Sequence, residues 1–399
     1  MQRVSLFGYG KTTKALAKLF SNPVFYDDKC SKPFTDENGY KVKPSFDFDP
    51  NYSDLEIPSP GIAPSNTLIQ KAKNLISEYD CFASAAPLTI WISGTNGKTT
   101  TTQMMQYLLK DNGSQEGGNI GTPLGELDQN AQIWILETSS FTIHYTKKAV
   151  PNIYVLLPIT PDHLSWHGSM QEYIDAKLKP LLKMREGEVA IIPEAYKDVK
   201  TAAHLITYKD ERDLASSFDI EIDKVSFKGA FLMDALLAMA VDKILFDRAR
   251  YAKINSFVID PHRQEELRDS KNRLWVNDTK ATNLDATIVA LKRYKEHHVR
   301  LILGGDDKGV DLSELFAYLQ NCNVKIYTIG SNKEKLCTLA RQYGVAFELC
   351  KNLADAVAQI DKALQADEVA LLSPAAASLD EFKSYADRGE QFKAAIRAL

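Results

Sequence analysis

Trp91-Ile92-Ser93-Gly94-Thr95-Asn96-Gly97-Lys98-Thr99-Thr100 carries a short apolar run, Leu88 to Ile92, through a glycine-rich bend into a helical pattern that runs to about Asp111 and stops at Asn112-Gly113. Strand, bend and helix in that order make a phosphate cradle. The backbone N–H groups of the bend and of the first helical turn point at an anion, Lys98 adds a mobile positive charge, and the Thr99 hydroxyl can serve Mg²⁺. The usual spacing asks for Gly six residues before the lysine, where Ile92 stands, and Gly94 and Gly97 supply the flexibility instead. Gly94, Thr95, Asn96, Gly97, Lys98, Thr99 and Thr100 are therefore candidate nucleotide-binding residues. A plain turn with a solvated lysine is the competing reading, and the agreement of strand, Gly-Lys-Thr and helix weighs against it.

Around this stretch the chain is 399 residues long, which is more than one ordinary core and points to two or three domains. Its 48 basic and 52 acidic residues leave a net charge of -4, which excludes partners that need a large electropositive surface, nucleic acid first among them. The 5 cysteines are far apart, with no C-x-x-C, so neither a disulfide framework nor a zinc site is expected. No apolar run approaches the roughly 20 residues of a spanning helix, and Val4 to Phe7 is already a strand. A soluble cytoplasmic protein without a membrane partner is the expectation, and nothing in the pattern indicates an oligomeric state.

Val4 to Phe7 ends in Gly8-Tyr9-Gly10-Lys11, before a helical pattern from Thr12 to Phe20. A dinucleotide fingerprint would need Gly at position 13, where Thr13 stands, so a different pyrophosphate-bearing ligand suits this loop better than NAD. Val24-Phe25-Tyr26 delivers Asp27-Asp28, either as ribose or base contacts or as solvated loop acids. After the turn at Ser59-Pro60-Gly61, Asn66 is placed to cap a helix through Ile76. Small residues at Ala83-Ser84-Ala85-Ala86-Pro87 form a linker that ends the first domain.

In the second domain, Gly117 to Pro123 reads as a flexible polar loop containing Asn119. The strand Ile133 to Leu136 delivers Glu137 and Ser139, and the strand Ile153 to Leu157 delivers Asp162-His163. Ligands gather at the carboxyl ends of parallel strands, so Lys98, Thr99, Glu137 and His163 together describe a Mg²⁺-nucleotide site, although each alone has an ordinary reading as a loop residue. Met170 to Met184 reads as a helix whose Lys177, Lys179 and Lys183 form a solvated basic face. Phe231 to Phe246 reads as a core helix. A third unit starts near Asp260-Pro261-His262-Arg263. It repeats strand, polar loop and helix at Asn277-Asp278-Thr279-Lys280-Ala281-Thr282-Asn283, at Gly304-Gly305-Asp306-Asp307-Lys308, at Gly330 to Glu334, where Ser331 and Glu334 have capping-box spacing, and at Ser373-Pro374-Ala375.

Gly94 to Thr100, Asn119-Ile120-Gly121, Glu137-Thr138-Ser139-Ser140-Phe141, His262-Arg263, Asn277 to Asn283, Gly304-Gly305-Asp306 and Leu372-Ser373-Pro374-Ala375 together resemble the Mur ligase family over nearly the whole chain. The Asn277–Asn283 loop and the Ser373–Phe382 segment are most similar to members that add D-glutamate to UDP-N-acetylmuramoyl-L-alanine.

The resemblance implies an α/β protein of three domains: a Rossmann-like N-terminal domain over 1–84 that binds the UDP substrate, a central phosphate-loop ATPase-type domain over 85–259, and a C-terminal Rossmann-like domain over 260–399 that binds the amino acid. It implies an ATP-dependent acid–D-amino-acid ligase of peptidoglycan precursor synthesis, acting through an acyl phosphate, with ATP and two Mg²⁺ ions as cofactors. The implied catalytic residues are Lys98, Glu137, His163 and Lys177. Thr99, Glu137, His163 and a carbamylated Lys177 would ligate metal, which replaces the solvated reading of Lys177. Gly8, Tyr9, Gly10, Lys11, Asp27, Asp28, Ser59, Gly61 and Asn119 would meet the UDP-linked acid. His262, Arg263, Asp278 and Lys280 would face the nucleotide, and Thr282, Lys308, Ser373 and Phe382 would receive D-glutamate. Where the family often carries His-Asn-x-x-Asn after a Gly, this chain has Gly229-Ala230-Phe231-Leu232-Met233-Asp234, which leaves Asp234 as the candidate base contact. The rival readings are a ligase on the same scaffold with another amino acid or a folate substrate, and a nucleotide-dependent switch or transport module.

Overall fold

The computed structural model describes residues 2–399 apart from 120 and 308, and for Ser165 the backbone alone. Lys308, an expected D-glutamate contact, therefore lies outside the described residues, as does Ile120. Two compact units run from Met1 to Phe257 and from Val258 to Leu399.

The first unit contains two sheets. One has the strand order Phe34–Thr35, Lys41–Pro44, Val24–Asp27, Val4–Phe7, Leu55–Pro58 and is parallel except for its short Phe34–Thr35 edge. The other is fully parallel, in the order His204–Tyr208, Val189–Pro193, Ile153–Leu156, Leu88–Ser93, Ile133–Glu137, Ser114–Gly118. Its strands are apolar on both faces, as a covered parallel sheet requires. Ile90 and Ile92 face a core built with Met104, Leu108, Leu236 and Met239, whereas Trp91 on the opposite pleat joins Trp134, Leu136 and Tyr154 with Leu6, Phe25 and Ile57 of the first sheet. That second cluster is common to both sheets, which is why they form one unit.

The strand order reverses at Leu88–Ser93, the first strand of its sheet in sequence, flanked by Ile153–Leu156 and Ile133–Glu137. Such a switch point opens a crevice at the carboxyl ends of the strands. The bend at Gly94 to Gly97 and the helix Lys98–Leu109 begin there. The helix ends through a turn over Lys110–Asn112 at Gly113, whose φ of 71 needs a residue without Cβ. The helix Ala230–Phe246 packs along Lys98–Leu109.

The second unit has one sheet in the order Glu265–Arg268, Leu274–Asn277, Val369–Leu372, Val299–Leu303, Val324–Thr328, Ala346–Leu349, antiparallel only at the Glu265–Arg268 edge. The three sheets, mostly parallel, match the expected α/β class. Among the described residues, no helix is long and apolar enough to cross a membrane.

Four local expectations are corrected. The helix capped by Asn66 spans Thr67–Lys71 rather than reaching Ile76. Beyond it the backbone is taken by the sheet edge, where Asn74 N–H meets Glu56 Oε2 at 2.6 Å and Ile76 N–H donates to Glu56 O at 3.0 Å. Gly117 and Gly118 belong to the strand Ser114–Gly118 rather than to a loop, because pairing with Ile133–Glu137 extends through them. The Met170 helix stops at Leu178, ahead of Pro180. Ser331 forms no capping box: its N–H goes to Asp380 Oδ2 at 2.8 Å, its hydroxyl to Gly305 O at 3.1 Å, and the helix starts after Asn332.

Candidate functional site

The bend after Leu88–Ser93 is held from three sides. Gly94 has φ 136, and a Cβ there would stand 2.6 Å from Leu157 Cβ; Gly97 has φ 85, and its Cβ would stand 2.6 Å from Asp234 Oδ1. Both positions combine a left-handed backbone with no room for a side chain. The Thr95 hydroxyl donates to Thr160 O at 2.9 Å and lies 3.1 Å from the Tyr173 hydroxyl. Lys98 Nζ bends back over the loop and donates to Gly94 O at 3.1 Å and Thr95 O at 2.7 Å. Thr99 is half-buried and Thr100 buried in the first turn. Asp234 is buried, accepting from Thr101 Oγ1 at 2.9 Å. Its place is therefore beneath the loop, against Gly97.

Glu137 ends the neighbouring strand at 2% exposure. Its Oε1 accepts from Asn119 Nδ2 at 2.9 Å, while its Oε2 is buried with no hydrogen-bond partner among the described residues. A buried carboxylate oxygen left open beside a phosphate loop is a ready cation ligand, since burial without compensation is costly. Among the described residues no group of three or more His, Cys, Asp or Glu forms a metal cage. Mg²⁺ does not need one, because water and substrate phosphate usually complete its shell.

Lys177 is the sharpest feature of the site. It is 1% exposed, and its Nζ donates to Gly94 O at 2.7 Å and lies 3.5 Å from Ser93 Oγ. Burial, followed by repulsion from Lys98, holds its pKa well below that of an ordinary lysine, against the opposing pull of Asp162 and Glu137. The expected solvated face thus fails for Lys177. Lys183 stays exposed, and Lys179 donates to His144 O at 2.6 Å. His163 sits at φ 54, 3.5 Å from Asp162 Oδ2, with its ring 4.7 Å from that of Phe141. His167 behind it is buried against Ser140 Oγ at 2.9 Å, and burial holds its pKa down to about 4.

The loops of the first sheet reach the same end of the second. Gly8 has φ 84, with Ser59 packed 3.2 Å from where its Cβ would be. Tyr9 N–H donates to Asp27 Oδ2 at 2.7 Å, Gly10 precedes the helix Lys11–Ala17, and Lys11 Nζ donates to Gly121 O at 2.5 Å. Asp28 accepts from Asn66 Nδ2 at 2.8 Å. Trp166 Nε1 donates to Gly61 O at 3.3 Å and the Tyr145 hydroxyl to Ile62 O at 2.5 Å, tying the Ser59–Gly61 turn to the helices beside His163.

In the second unit, Asp278 and Ser373 are brought together. The Ser373 hydroxyl donates to Asp278 Oδ2 at 2.8 Å, and both residues are buried. Burial pushes the Asp278 carboxyl up to about 7, against the hydrogen bonds from Ser373 and Gln264. His262 is buried with Nδ1 2.9 Å from Asn277 Nδ2, and Lys280 Nζ lies 3.9 Å from the centre of the Tyr385 ring. Arg263 is half-buried, Thr282 is exposed, and Phe382 packs against the core beside Trp275 and Phe392.

A raised carboxyl keeps its proton in the folded chain at pH values where the unfolded chain has lost it. Stability from Asp278 is therefore full below the ordinary carboxylate value of 3.8 and is lost as pH rises through about 7. Asp278→Asn should flatten that part of the profile. Urea midpoints measured at about pH 5 and about pH 8 should differ less in the variant than in the parent, and an unchanged difference would refute the assignment.

Two supports escaped the sequence reading. The Tyr79 hydroxyl lies 3.1 Å from Thr138 Oγ1 and 3.3 Å from Glu137 O, bracing the strand end that carries the open carboxylate. Arg388 is fully buried, with its guanidinium donating to Thr279 Oγ1, Thr279 O, Ala376 O and Ala377 O at 2.8 to 3.3 Å, which joins the Asn277 loop to the Ser373 loop. Arg388→Met should destabilise the chain by about 3 kcal/mol, because four buried acceptors lose their donor. A thermal midpoint equal to the parent's would contradict this. Arg388, Phe392 and Ile396 follow one another at four-residue intervals in the helix Tyr385–Arg397, so the buried stripe was visible in the sequence.

Residues 92–232 match the Mur ligase middle domain and residues 262–376 the Mur ligase glutamate ligase domain. The UDP-N-acetylmuramoylalanine–D-glutamate ligase of Campylobacter jejuni (serotype O:23/36, strain 81-176) is 54% identical over 100% of both chains. The enzyme of that name from Helicobacter pylori (strain ATCC 700392 / 26695) is 45% identical over 99% of each. A similar solved structure is the MurF ligase of Thermotoga maritima in complex with ADP, which at 15% identity aligns over 99% of this chain and 97% of its own with a TM-score of 0.61.

Proposed function

This chain belongs to the Mur ligase family, and we propose on that footing that it joins D-glutamate to UDP-N-acetylmuramoyl-L-alanine at the expense of ATP in peptidoglycan precursor synthesis. The observation that carries the chemistry is the convergence of Lys98, the open oxygen of Glu137 and the buried amine of Lys177 at one phosphate loop. Near-full-length similarity to the named D-glutamate ligases supports the choice of substrates.

The loop backbone and Lys98 bind the ATP phosphates, while Gly94 and Gly97 let the chain approach them and Asp234 keeps Gly97 in place. Thr99 and Glu137 would hold one Mg²⁺, and His163 and a carbamate on Lys177 a second; the ions would supply positive charge against that of the phosphates and of the incoming carboxylate. Lys177 is suited to carbamylation because burial holds its pKa well below that of an ordinary lysine, which favours the neutral amine: Nζ would bond to the carbon of CO₂ and lose one proton, and an oxygen of the resulting carbamate would be the anionic ligand.

Gly8 to Lys11, Asp27, Asp28, Ser59, Gly61 and Asn119, within residues 1–84 and at the edge of 85–259, bind the UDP-linked acid. One oxygen of its carboxylate attacks the γ-phosphorus, the bond to ADP breaks, and an acyl phosphate forms. Residues 260–399 supply D-glutamate through Thr282, Lys308 and Phe382, with Asp278 and Ser373 setting the shape of the receiving loops and His262, Arg263 and Lys280 facing the nucleotide. The amine of D-glutamate attacks the acyl carbon and loses a proton as phosphate departs.

Phosphate release from ATP should require both UDP-N-acetylmuramoyl-L-alanine and D-glutamate. Equal release with L-lysine or meso-diaminopimelate in place of D-glutamate would overturn the assignment of the amine, and release without the UDP-linked acid would favour a nucleotide switch.

A further inference from the structure

On the connection between the two sheets of the first unit, the single helical turn Glu78–Cys81 presents Glu78, Tyr79 and Asp80, and each grips a different part of the second sheet's layer. Asp80 accepts from the N–H groups of Lys147, Lys148 and Ala149 at 2.6 to 2.8 Å, just beyond the helix Ser140–Tyr145. The Tyr79 hydroxyl meets Thr138 Oγ1 and the Glu137 carbonyl. Glu78 is 4% exposed, and its Oε1 accepts from Leu124 N–H at 2.8 Å. Burial pushes its carboxyl up to about 7, against the pull of the Leu124 and Gly125 N–H groups. A buried carboxyl is costly unless its acceptors are used, and here they are used at the exit of one loop.

That loop carries Asn119. It leaves the strand Ser114–Gly118 and is closed by Gly118 N–H on Thr122 O at 3.0 Å, while Asn119 N–H donates to Glu137 O at 2.8 Å. Its base has no slack: a Cβ on Gly117 would stand 2.4 Å from Thr122 O, and one on Gly118 would stand 2.5 Å from Glu137 O and 2.9 Å from the Tyr79 hydroxyl. Tyr79 thus fixes the entry of the loop and Glu78 its exit. Between them the Asn119 amide occupies one oxygen of Glu137, and the other has no hydrogen-bond partner among the described residues.

We propose that Glu78, together with Tyr79, is a positioning residue of the ligase reaction: by fixing both limbs of the Asn119 loop it holds the Asn119 amide on one Glu137 oxygen and leaves the other to a divalent cation. Supporting residues of this kind orient a metal ligand without touching the ion. The inference rests on the reading of the site as a Mg²⁺-dependent ligase.

The gain in affinity that Mg²⁺ confers on a non-hydrolysable ATP analogue, taken from calorimetric titrations of the full-length protein with Mg²⁺ and with EDTA, tests the cation site without turnover. Glu78→Gln, which sets an amide against the two N–H groups, and Tyr79→Phe, which removes only the hydroxyl, should each reduce that gain by about tenfold. Both are close in shape to the parent side chains. In turnover assays they should raise the KM for UDP-N-acetylmuramoyl-L-alanine, which Asn119 would meet, and leave the KM for D-glutamate unchanged. Asp80→Asn, on the same turn but away from the loop, should lower the thermal midpoint and keep the parent's Mg²⁺ gain. A parent that gains nothing from Mg²⁺, a gain unchanged in Glu78→Gln and Tyr79→Phe, or an equal loss in Asp80→Asn would overturn the proposal. Phosphate release by the parent without D-glutamate would instead overturn the ligase reading, and the Mg²⁺ titrations would still decide the role of Glu78.

Discussion

Lys177→Ala should lower ligase turnover by about a hundredfold or more, in line with the loss of one preorganised charge at a phosphoryl-transfer site. The expectation follows from burial. An ordinary lysine with its amine 2.7 Å from Gly94 O would add a second cation beside Lys98 at one loop, and burial together with Lys98 instead holds the Lys177 pKa well below that of an ordinary lysine. A neutral amine next to a metal-competent carboxylate is chemically prepared for CO₂. The parent protein equilibrated with ¹³C-bicarbonate should therefore show a carbamate carbon resonance that is missing from Lys177→Ala, whatever the enzyme's activity. Acetate or formate, small enough for the space vacated by the side chain, should restore part of the lost turnover, and bicarbonate alone should not. Undiminished turnover in the variant, or a carbamate resonance that persists in it, would return Lys177 to a packing role.

Lys98→Ala should cost about 10²- to 10³-fold in kcat/KM, with the thermal midpoint nearly unchanged. The first chemical step brings a carboxylate towards a polyphosphate, and like charges must approach within bonding distance. Lys98 is half-buried at the start of its helix, and its ammonium lies over the loop, donating to the Gly94 and Thr95 carbonyls. Its stabilisation should therefore grow as charge gathers on the transferred group. Part of the loss should appear in kcat rather than in the KM for ATP alone. Lys98→Arg, which keeps the charge on a bulkier head, should recover only part of it. Parent-like kcat with a raised KM would reduce Lys98 to a ground-state contact.

The phosphate loop was legible because three local signals agree: a buried strand, glycines at turning points and a helix that follows at once. Glu137 was legible as the residue at a strand end, although its open oxygen was not, since that depends on Asn119 taking the other one. Lys177 shows where pattern reading stops. Lys177, Lys179 and Lys183 look alike in the helical pattern expected over Met170 to Met184, and only the packing of Ser93 and Gly94 over Lys177 sets it apart; the resemblance to the Mur ligases singled it out, not periodicity. The helix from Asn66 ended early for a similar reason, because Glu56 of a neighbouring strand claims the backbone of Asn74 and Ile76. Arg388 is the opposite case. Its spacing with Phe392 and Ile396 marked a buried face, but an arginine there reads as solvated until its four carbonyl and hydroxyl partners are seen.

The carboxylate of the UDP-linked acid is the atom group on which the account turns. If that carboxylate attacks the γ-phosphorus and the amine later displaces phosphate, one carboxylate oxygen must leave with the phosphate. UDP-N-acetylmuramoyl-L-alanine carrying ¹⁸O in both carboxylate oxygens, incubated with ATP and D-glutamate, should yield inorganic phosphate with one ¹⁸O per molecule and an amide retaining the other. Unlabelled phosphate, or label recovered in AMP, would contradict the acyl-phosphate route and with it the roles assigned to Lys98, Glu137 and Lys177.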